Sequence, residues 1–552
     1  MDIGKQAYKY AVRNAFEHSG KADVGAVVGK LKALFPGIEA RELAGIAKKH
    51  VEKANSLDGK KLEEEFHRFE KQGFELGARE GRVGLPELEW AEKEKVVTRF
   101  APNPNGPLHL GSARAAVLSH EYARKYDGKF ILRFDDTDPK VKKPIENAER
   151  FFLEDLEWLD CKVDERYFAS DRLELYQKYM KKLILKQGAY VCTCDAEEWR
   201  EKTKKGEACD CRSEDRGTQL EKFKKILSHK FKEGEAVLRI KTDLKHKDPS
   251  VRDWWIAKIV DSPQHPRVGK KVHVWPSYNF ASGVDDHELG ITLIIRGQEH
   301  QQNETKQRFL YDYFEWEYPH SIYTGRLQLE GAVLSTSKIR TEIEAGKYRG
   351  WDDPRLGTIC AFRRRGFFPE ALRKVILDLG IKGRDALIEW ETIAAENREL
   401  VVEEAKKTGF AQRPLILIVE KAKKKNVLVD GKEFSLGEKL QSFTVERSDV
   451  EGKEGKEVRL REAYNVRIKR TGKLKAFAEF TCEKPVAREI IPWFLEGVQV
   501  KIMMPNGRKI EGLADESILS LEKGEHCYLN RFGFAIVDSA EKEKTELWFT
   551  HA

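Results

Sequence analysis

The architecture of this chain follows from residues 95–139, which read KVVTRFAPNPNGPLHLGSARAAVLSHEYARKYDGKFILRFDDTDP. Val96–Phe100 predicts a buried strand, the stretch rich in Pro and Asn a loop, Ser112–Tyr126 a helix, and Lys129–Phe134 a second strand. A strand, a helix and a second strand in this order form a βαβ unit. The segment therefore predicts a parallel sheet that binds its ligand at the carboxyl ends of its strands.

The pattern of apolar and polar residues changes several times on either side of this unit. Apolar residues spaced by three or four in AVRNAFEH and KLEEEFHRFEKQGFELG predict helices near the N-terminus, and short β runs split by turns near the C-terminus predict a β-barrel. We predict six segments: a helical N-terminal extension (1–93), the first half of a Rossmann-like α/β catalytic domain (94–168), an inserted domain (169–275), the second half of the catalytic domain (276–338), a helical connecting domain (339–395) and a β-barrel region (396–552).

Composition limits the class of protein. The chain has 552 residues with 40% hydrophobic and 35% charged residues, enough apolar material for several cores, which excludes wholesale disorder. The net charge of +8 suits a polyanionic partner, although a surface crowded with both signs explains the same number. No run approaches the roughly 20 apolar residues of a membrane span, and the N-terminus lacks the apolar core of a secretory signal. We expect a cytosolic protein without membrane contact.

Four of the eight cysteines lie close together in the inserted segment. Cys192 and Cys194 form one C-x-C pair and Cys209 and Cys211 another, with residues 195–208 between them. Four thiolates at this spacing are typical of a tetrahedral structural Zn²⁺ site. The alternative is four reduced cysteines without metal, which a cytosolic setting also permits.

The loop after the first strand has the properties of a phosphate-binding turn. Gly106 and Gly111 allow a tight turn and a close approach of ligand to backbone. His109 stands at the start of the predicted helix, where free N–H groups and the helix dipole favour phosphate. Taken alone, an H-x-G pattern fits an ordinary strand-to-helix turn with a surface histidine equally well.

The full phrase resembles the class I aminoacyl-tRNA synthetases, with His109-Leu110-Gly111-Ser112 in place of the HIGH signature. RFAPNPNGPLHLG and RFDDTDP resemble the glutamyl/glutaminyl subgroup, and the chain from about residue 95 onward is most similar to archaeal-type glutamyl-tRNA synthetases. The resemblance implies that ATP binds with Mg²⁺ and that His109 and Lys338 are catalytic. It also implies an ATP site formed by Asn105, Gly106, His109, Gly111, Ser112, Glu299 and Lys338.

The second family signature, KMSKS, is degenerate in this chain. Residues 333–338 read VLSTSK, so Thr336 stands at the usual position of the second lysine. In the family this loop brings a lysine to the ATP phosphates. Lys338 is the nearest cation, and Arg340 is a further candidate.

A site that activates glutamate needs a cation for the side-chain carboxylate and an acid for the ammonium group. By resemblance, Arg99 contacts the side chain, Asp135 the α-amino group, and Tyr278 and Ser282 line the same pocket. Arg296 matches an arginine of glutamyl enzymes that glutaminyl enzymes lack, and a second guanidinium favours a carboxylate over an amide. We expect the adjacent Asp285 and Asp286 to cap a helix, with contact to the acceptor end of tRNA as the alternative.

The resemblance implies a glutamate–tRNA ligase. It would join L-glutamate to ATP as glutamyl-adenylate and pass the glutamyl group to tRNA(Glu), with tRNA(Gln) as a further candidate. The inserted domain would bind the acceptor stem, residues 350–372 favour a β-barrel anticodon-binding region, and we expect a monomer. The alternatives are a glutaminyl-tRNA synthetase on the same scaffold, a tRNA-independent small-molecule nucleotidyltransferase, and an RNA-binding protein with an inactive site.

Overall fold

The computed structural model describes residues 3–17, 20–35, 38–71, 84–141, 143–541 and 544–552. The chain forms two compact units, Met1–Pro86 and Glu87–Ala552. The described part of the first unit is helical, with its own apolar core, and contains α1 (Ile3–Glu17), α2 (Val24–Leu34), α3 (Ala40–Asn55) and α4 (Gly59–Lys71). The sequence predicts that this last helix continues as far as residue 77 and that a linker follows. Residues 72–83, which include the end of that helix and the start of the linker, lie outside the described residues.

The second unit begins with α/β structure that an inserted segment interrupts. Its elements up to the connecting helices are β1 (Val97–Phe100), α5 (Leu110–Lys125), β2 (Lys129–Phe134), α6 (Ala148–Trp158), β3 (Glu165–Phe168), α7 (Leu173–Leu185), β4 (Ala189–Cys192), α8 (Ala196–Lys205), α9 (Arg216–Leu227), β5 (Val237–Ile240), β6 (Trp255–Ile259), β7 (Val274–Pro276), α10 (Tyr278–Glu288), β8 (Leu293–Gly297), α11 (Gln301–Phe314), β9 (His320–Thr324), β10 (Leu327–Leu329), α12 (Thr336–Glu344), α13 (Ile359–Arg364), α14 (Pro369–Leu379), β11 (Ala386–Ile388) and α15 (Trp390–Glu404).

The rest of the second unit consists almost entirely of strands. They are β12 (Lys406–Thr408), β13 (Phe410–Ala411), β14 (Pro414–Ala422), β15 (Lys425–Val429), β16 (Lys432–Leu436), β17 (Lys439–Glu446), β18 (Glu457–Leu460), β19 (Asn465–Thr471), β20 (Lys475–Cys482), β21 (Ile490–Ile491), β22 (Gly497–Met503), β23 (Lys509–Asp515), β24 (His526–Leu529), β25 (Gly533–Glu541) and β26 (Lys544–His551).

The central sheet confirms the predicted parallel α/β fold. Its order is β3-β2-β1-β8-β9, and every neighbouring pair is parallel. Helix α5 begins at Leu110 rather than at the predicted Ser112, because His109 already caps it. Strands β1 and β8 are neighbours although almost 200 residues separate them, so both halves of the α/β domain end at one edge of the sheet.

The three larger remaining sheets are antiparallel or mixed, and each packs on apolar side chains. Strands β4 to β7 form an antiparallel sheet in the inserted segment, which packs on apolar side chains that include the fully buried Trp275. The predicted C-terminal β region forms a six-stranded sheet from β14, β17 to β21, and a seven-stranded sheet from β12, β13 and β22 to β26. Among the helices that the structure describes, none combines the length and apolar character needed to cross a membrane.

Candidate active site

Charged side chains gather at the edge where β1, β2 and β8 end. Arg99 is the next-to-last residue of β1, Asp135 follows β2 directly, and Arg296 is the next-to-last residue of β8. The two arginines are 3% and 5% exposed, and each is near enough to Tyr278 for the two side chains to interact electrostatically. Of the five residues predicted for the amino-acid pocket, Arg99, Arg296 and Tyr278 lie close together, and Asp135 follows the neighbouring strand β2. The fifth, Ser282, is described with Asp286 below.

Arg99 is held by a carboxylate that the sequence analysis placed elsewhere. Its Nε donates to Oδ1 of Asp286 at 2.9 Å, and Nη2 lies 3.4 Å from Oδ2. The hydroxyl of Ser282 lies 3.4 Å from the same carboxylate and is fully buried. Burial opposes the charge of Arg99, but the Asp286 carboxylate outweighs it and raises the Arg99 pKa. Ser282 thus contacts the acid that orients Arg99.

Arg296 is oriented mainly by neutral groups. Its Nη2 donates to the hydroxyls of Tyr318 at 2.9 Å and Tyr323 at 3.2 Å, and its Nη1 to Oε1 of Gln307 at 3.3 Å. The nearest carboxylate oxygen in its ion pairs is Oε2 of Glu304, at 3.8 Å. The Arg296 charge is therefore balanced less closely than that of Arg99.

Asp135 and Asp285 share one buried arginine. Arg133 on β2 is completely buried and donates from Nε to Asp285 at 2.6 Å and from Nη1 to Asp135 at 3.1 Å. Asp285 also accepts from Nε of Arg172 at 2.6 Å and from the Tyr176 hydroxyl at 2.5 Å. Burial raises the pKa of Asp135, and the Arg133 guanidinium partly counteracts this rise. Arg133 thus orients the Asp135 carboxylate at the carboxyl end of β2.

The prediction that Asp285 and Asp286 cap a helix is wrong. Both lie inside α10, whose N-cap is Ser277 and whose C-cap is Leu289, and both are at most 1% exposed. Each forms an ion pair with an arginine from a different strand, Arg133 or Arg99. Two adjacent acids on the buried face of a helix require buried cations. The sequence pattern alone did not reveal that both side chains are buried, and the capping prediction failed for this reason.

Five of the seven residues predicted to bind ATP, Asn105, Gly106, His109, Gly111 and Ser112, lie in the loop before α5 or at its start. His109 is the N-cap: its Nδ1 accepts from the Ser112 N–H at 3.1 Å, and its own N–H donates to the Ser112 hydroxyl at 3.0 Å. Because Nδ1 is an acceptor, the neutral ring carries its proton on Nε2. Burial lowers the pKa of His109 to about 4, so the ring is neutral at pH 7. Gly111 packs against this ring, where an added Cβ would lie 3.2 Å from it.

The degenerate second signature contacts the same loop. The Asn105 amide donates to the Ser337 hydroxyl at 3.3 Å, and a Cβ on Gly106 would lie 2.4 Å from the Thr336 side chain. Lys338 is exposed in the first turn of α12, one residue beyond this contact. Glu299 is exposed after β8, and its carboxylate folds back over the Gly297 backbone. The structure therefore joins Asn105 and Gly106 to the second signature, and it does not place Glu299 or Lys338 in a contact with His109.

The four clustered cysteines have the geometry of a metal site. The ligand sulfurs of Cys192, Cys194, Cys209 and Cys211 all lie within 4.8 Å of one another. The Cys192–Cys209 and Cys194–Cys211 sulfur distances are 3.9 and 3.8 Å, whereas a disulfide requires about 2.05 Å. Four sulfurs about 2.3 Å from a tetrahedral Zn²⁺ would lie about 3.8 Å apart. The donor set and its spacing therefore fit zinc.

Comparison with known proteins identifies relatives over the whole chain. Residues 95–402 match the model of the family "tRNA synthetases class I (E and Q), catalytic domain". The chain is 46% identical to the glutamate–tRNA ligase of Pyrococcus furiosus and 47% identical to that of Pyrococcus abyssi, with all of both chains covered in each case. It is 42% identical to the glutamate–tRNA ligase of Sulfurisphaera tokodaii at the same coverage. The glutamate–tRNA synthetase structure from Elizabethkingia anophelis is 23% identical, with a TM-score of 0.42 over 57% of this chain and 72% of that one.

Proposed function

The chain belongs to the class I tRNA synthetases of the glutamate and glutamine group and is a glutamate–tRNA ligase, and from this premise we propose how its residues divide the work. The observation that carries the proposal is the pair of buried arginines, Arg99 and Arg296, at the edge of the parallel sheet where Asp135 also follows a strand. Two guanidinium groups suit a substrate with a carboxylate side chain, and an adjacent carboxylate suits its ammonium group.

The balance of charge around the two arginines supports glutamate as the amino acid. Asp286 already neutralises Arg99 at 2.9 Å, whereas the nearest carboxylate in the ion pairs of Arg296 is 3.8 Å away. The Arg296 guanidinium therefore gains most from the negative side chain of glutamate. A neutral glutamine amide would leave that charge poorly compensated in a buried site.

The first chemical step uses the other group of residues. The α-carboxylate oxygen of glutamate attacks the α-phosphorus of ATP, and the bond to the β-phosphate oxygen breaks as pyrophosphate leaves. His109 would donate from Nε2–H to the phosphates, and Lys338 would stabilise the charge on the leaving group. The Mg²⁺ that accompanies ATP supplies further neutralisation of the phosphates. In the second step the glutamyl group passes to the terminal ribose of tRNA(Glu).

The proposal extends to the inserted segment, the C-terminal β region and the partners of the chain. Four thiolates at zinc spacing support a structural Zn²⁺ that braces the inserted segment, which we propose to bind the acceptor stem. The β region after residue 405 would contact the anticodon. Charging of tRNA(Gln) in addition to tRNA(Glu), a monomeric state and a cytosolic location stay predictions.

The test is ATP–pyrophosphate exchange in the presence of tRNA(Glu), with glutamate and glutamine compared at equal concentration. We expect exchange with glutamate, and we expect Arg296→Gln to lower kcat/KM for glutamate by about 10- to 100-fold, the value of a charged hydrogen bond. Arg296→Lys retains the charge but loses the planar fork. Its kcat/KM for glutamate should lie between the values of the wild type and Arg296→Gln. Exchange with glutamine alone would identify a glutaminyl enzyme, and turnover of a small molecule without tRNA would identify a nucleotidyltransferase. Charging of purified tRNA(Glu) and tRNA(Gln) separates the two tRNA predictions.

A further inference from the structure

The short segment Leu108–Leu110 supports the histidine of the ATP loop, and its backbone is held from two sides. The Leu108 carbonyl accepts from the Ile359 N–H at 2.9 Å, and the Leu110 N–H donates to the Gly357 carbonyl at 2.9 Å. These two bonds resemble a rung of an antiparallel ladder between the start of α5 and the start of α13. Neither of these two bonds involves the Leu108 N–H.

This N–H is bound by a buried carboxylate. It donates to Oδ2 of Asp155, on α6, at 3.0 Å. Asp155 is 1% exposed, and its other oxygen lies 3.8 Å from Nη2 of Arg363 on α13. A buried carboxylate with one backbone hydrogen bond and one distant cation is costly. The Asp155 carboxylate thus binds the backbone of Leu108, the residue immediately before His109.

We propose that Asp155 is a positioning residue for ATP, whose carboxylate fixes the Leu108 backbone so that His109 caps α5 and presents its ring to the nucleotide. The inference rests on the proposed function, because it assigns Asp155 to the same reaction. Asp155 acts through Leu108 and His109 and does not itself contact the substrates. Without the carboxylate, Leu108 could rotate about its backbone, and the His109 cap would lose its fixed direction.

The charge of Asp155 gives this role a pH dependence. Burial raises the Asp155 pKa to about 7, against the opposite effects of Arg363 and of the Leu108 N–H. The other groups that interact with it electrostatically are Glu154 on α6 and Cys360 on α13. An ionised carboxylate accepts a hydrogen bond more strongly than a neutral acid. The loop is therefore held most firmly above pH 7, and its hold weakens as the pH falls through 7.

The experiment compares Asp155→Leu, which removes the acceptor, with Asp155→Asn, which keeps an acceptor of the same shape without charge. The measured quantities are the KM values for ATP and for glutamate in pyrophosphate exchange between pH 6 and 8. We expect Asp155→Leu to raise the KM for ATP at least tenfold, with the KM for glutamate changed less than twofold. The wild-type KM for ATP should fall as the pH rises, whereas Asp155→Asn should show a flat profile. Glu157→Gln, exposed on the same helix, is the matched control and should follow the wild type.

Two outcomes would overturn the inference. One is an Asp155→Leu protein whose KM for ATP stays within twofold of the wild type, or rises together with the KM for glutamate. The other is an Asp155→Asn profile parallel to that of the wild type, which decides the question even if Asp155→Leu fails to fold. The affinity for a non-hydrolysable ATP analogue can be measured by calorimetry without any amino acid present. A change of analogue affinity in Asp155→Leu would therefore support the inference even if exchange with glutamate failed and the proposed function with it.

Discussion

At the scale of single residues, His109 should act as a neutral hydrogen-bond donor. Since its Nδ1 caps α5 and its pKa is about 4, His109→Ala removes an Nε2–H donor without removing a charge. We expect the rate of pyrophosphate exchange to fall by about 10²- to 10³-fold, the effect of one lost donor at a developing negative charge. The KM for glutamate should change little. His320→Ala, at the opposite edge of the sheet at the start of β9, is the control.

The same pKa fixes the sign of a pH effect. His109 becomes charged only as the pH falls through about 4, so its own titration adds nothing to the activity profile between pH 6 and 8. A wild-type activity step in this range that persists in Asp155→Asn but disappears in His109→Gln would contradict the assignment of a neutral ring.

The buried network around Asp285 should contribute to stability as well as to the geometry of the pocket. Asp285→Asn keeps the shape but leaves Arg133 and Arg172 with less compensating charge in a buried site, at a cost of about 3–5 kcal/mol. We expect a clearly lower Tm in thermal unfolding of the full chain. Glu511→Gln breaks the more exposed pair with Lys501 and should lower the Tm far less, because solvent screens that pair. Equal effects of the two substitutions would show that the buried network does not stabilise the fold.

At the scale of elements, the sequence predicted well what local patterns determine. The strands and helix between residues 95 and 139 follow from apolar runs broken by Pro, Asn and Gly, and the structure confirms the parallel sheet they form. The start of α5 was placed two residues late, because histidine is not among the residues that are usually preferred as N-caps. The partners of Arg99 and Arg133 were not predicted, because α10 lies more than 140 residues away from both strands in sequence.

The cysteine pairs of the inserted segment give a prediction at the same scale. We expect one zinc per chain by metal analysis, and loss of zinc in Cys209→Ser, since three ligands bind a structural zinc poorly. The inserted segment should then unfold at a lower temperature, because metal binding free energy contributes to folding. Cys482→Ser, a free thiol on β20, should retain the metal. A purified wild-type protein without zinc would remove the assignment.

At the scale of the whole molecule, the proposed activation site and the N-terminal helices belong to different compact units. Every residue of the proposed amino-acid and ATP sites lies in the unit Glu87–Ala552, while α1 to α4 enclose their own core of residues such as Ala11, Leu31 and Leu43. A chain beginning at Glu87 should therefore fold and exchange pyrophosphate with glutamate at a rate within about threefold of the full chain. If residues 1–86 contact tRNA, as their position before the catalytic domain suggests, the KM for tRNA(Glu) should rise in the shortened chain while the KM values for ATP and glutamate stay unchanged. Thermal unfolding would show whether the chain beginning at Glu87 folds. If it folds but no longer activates glutamate, the first unit is needed to complete the site. That result would contradict the placement of Arg99, Asp135 and Arg296 within the second unit alone.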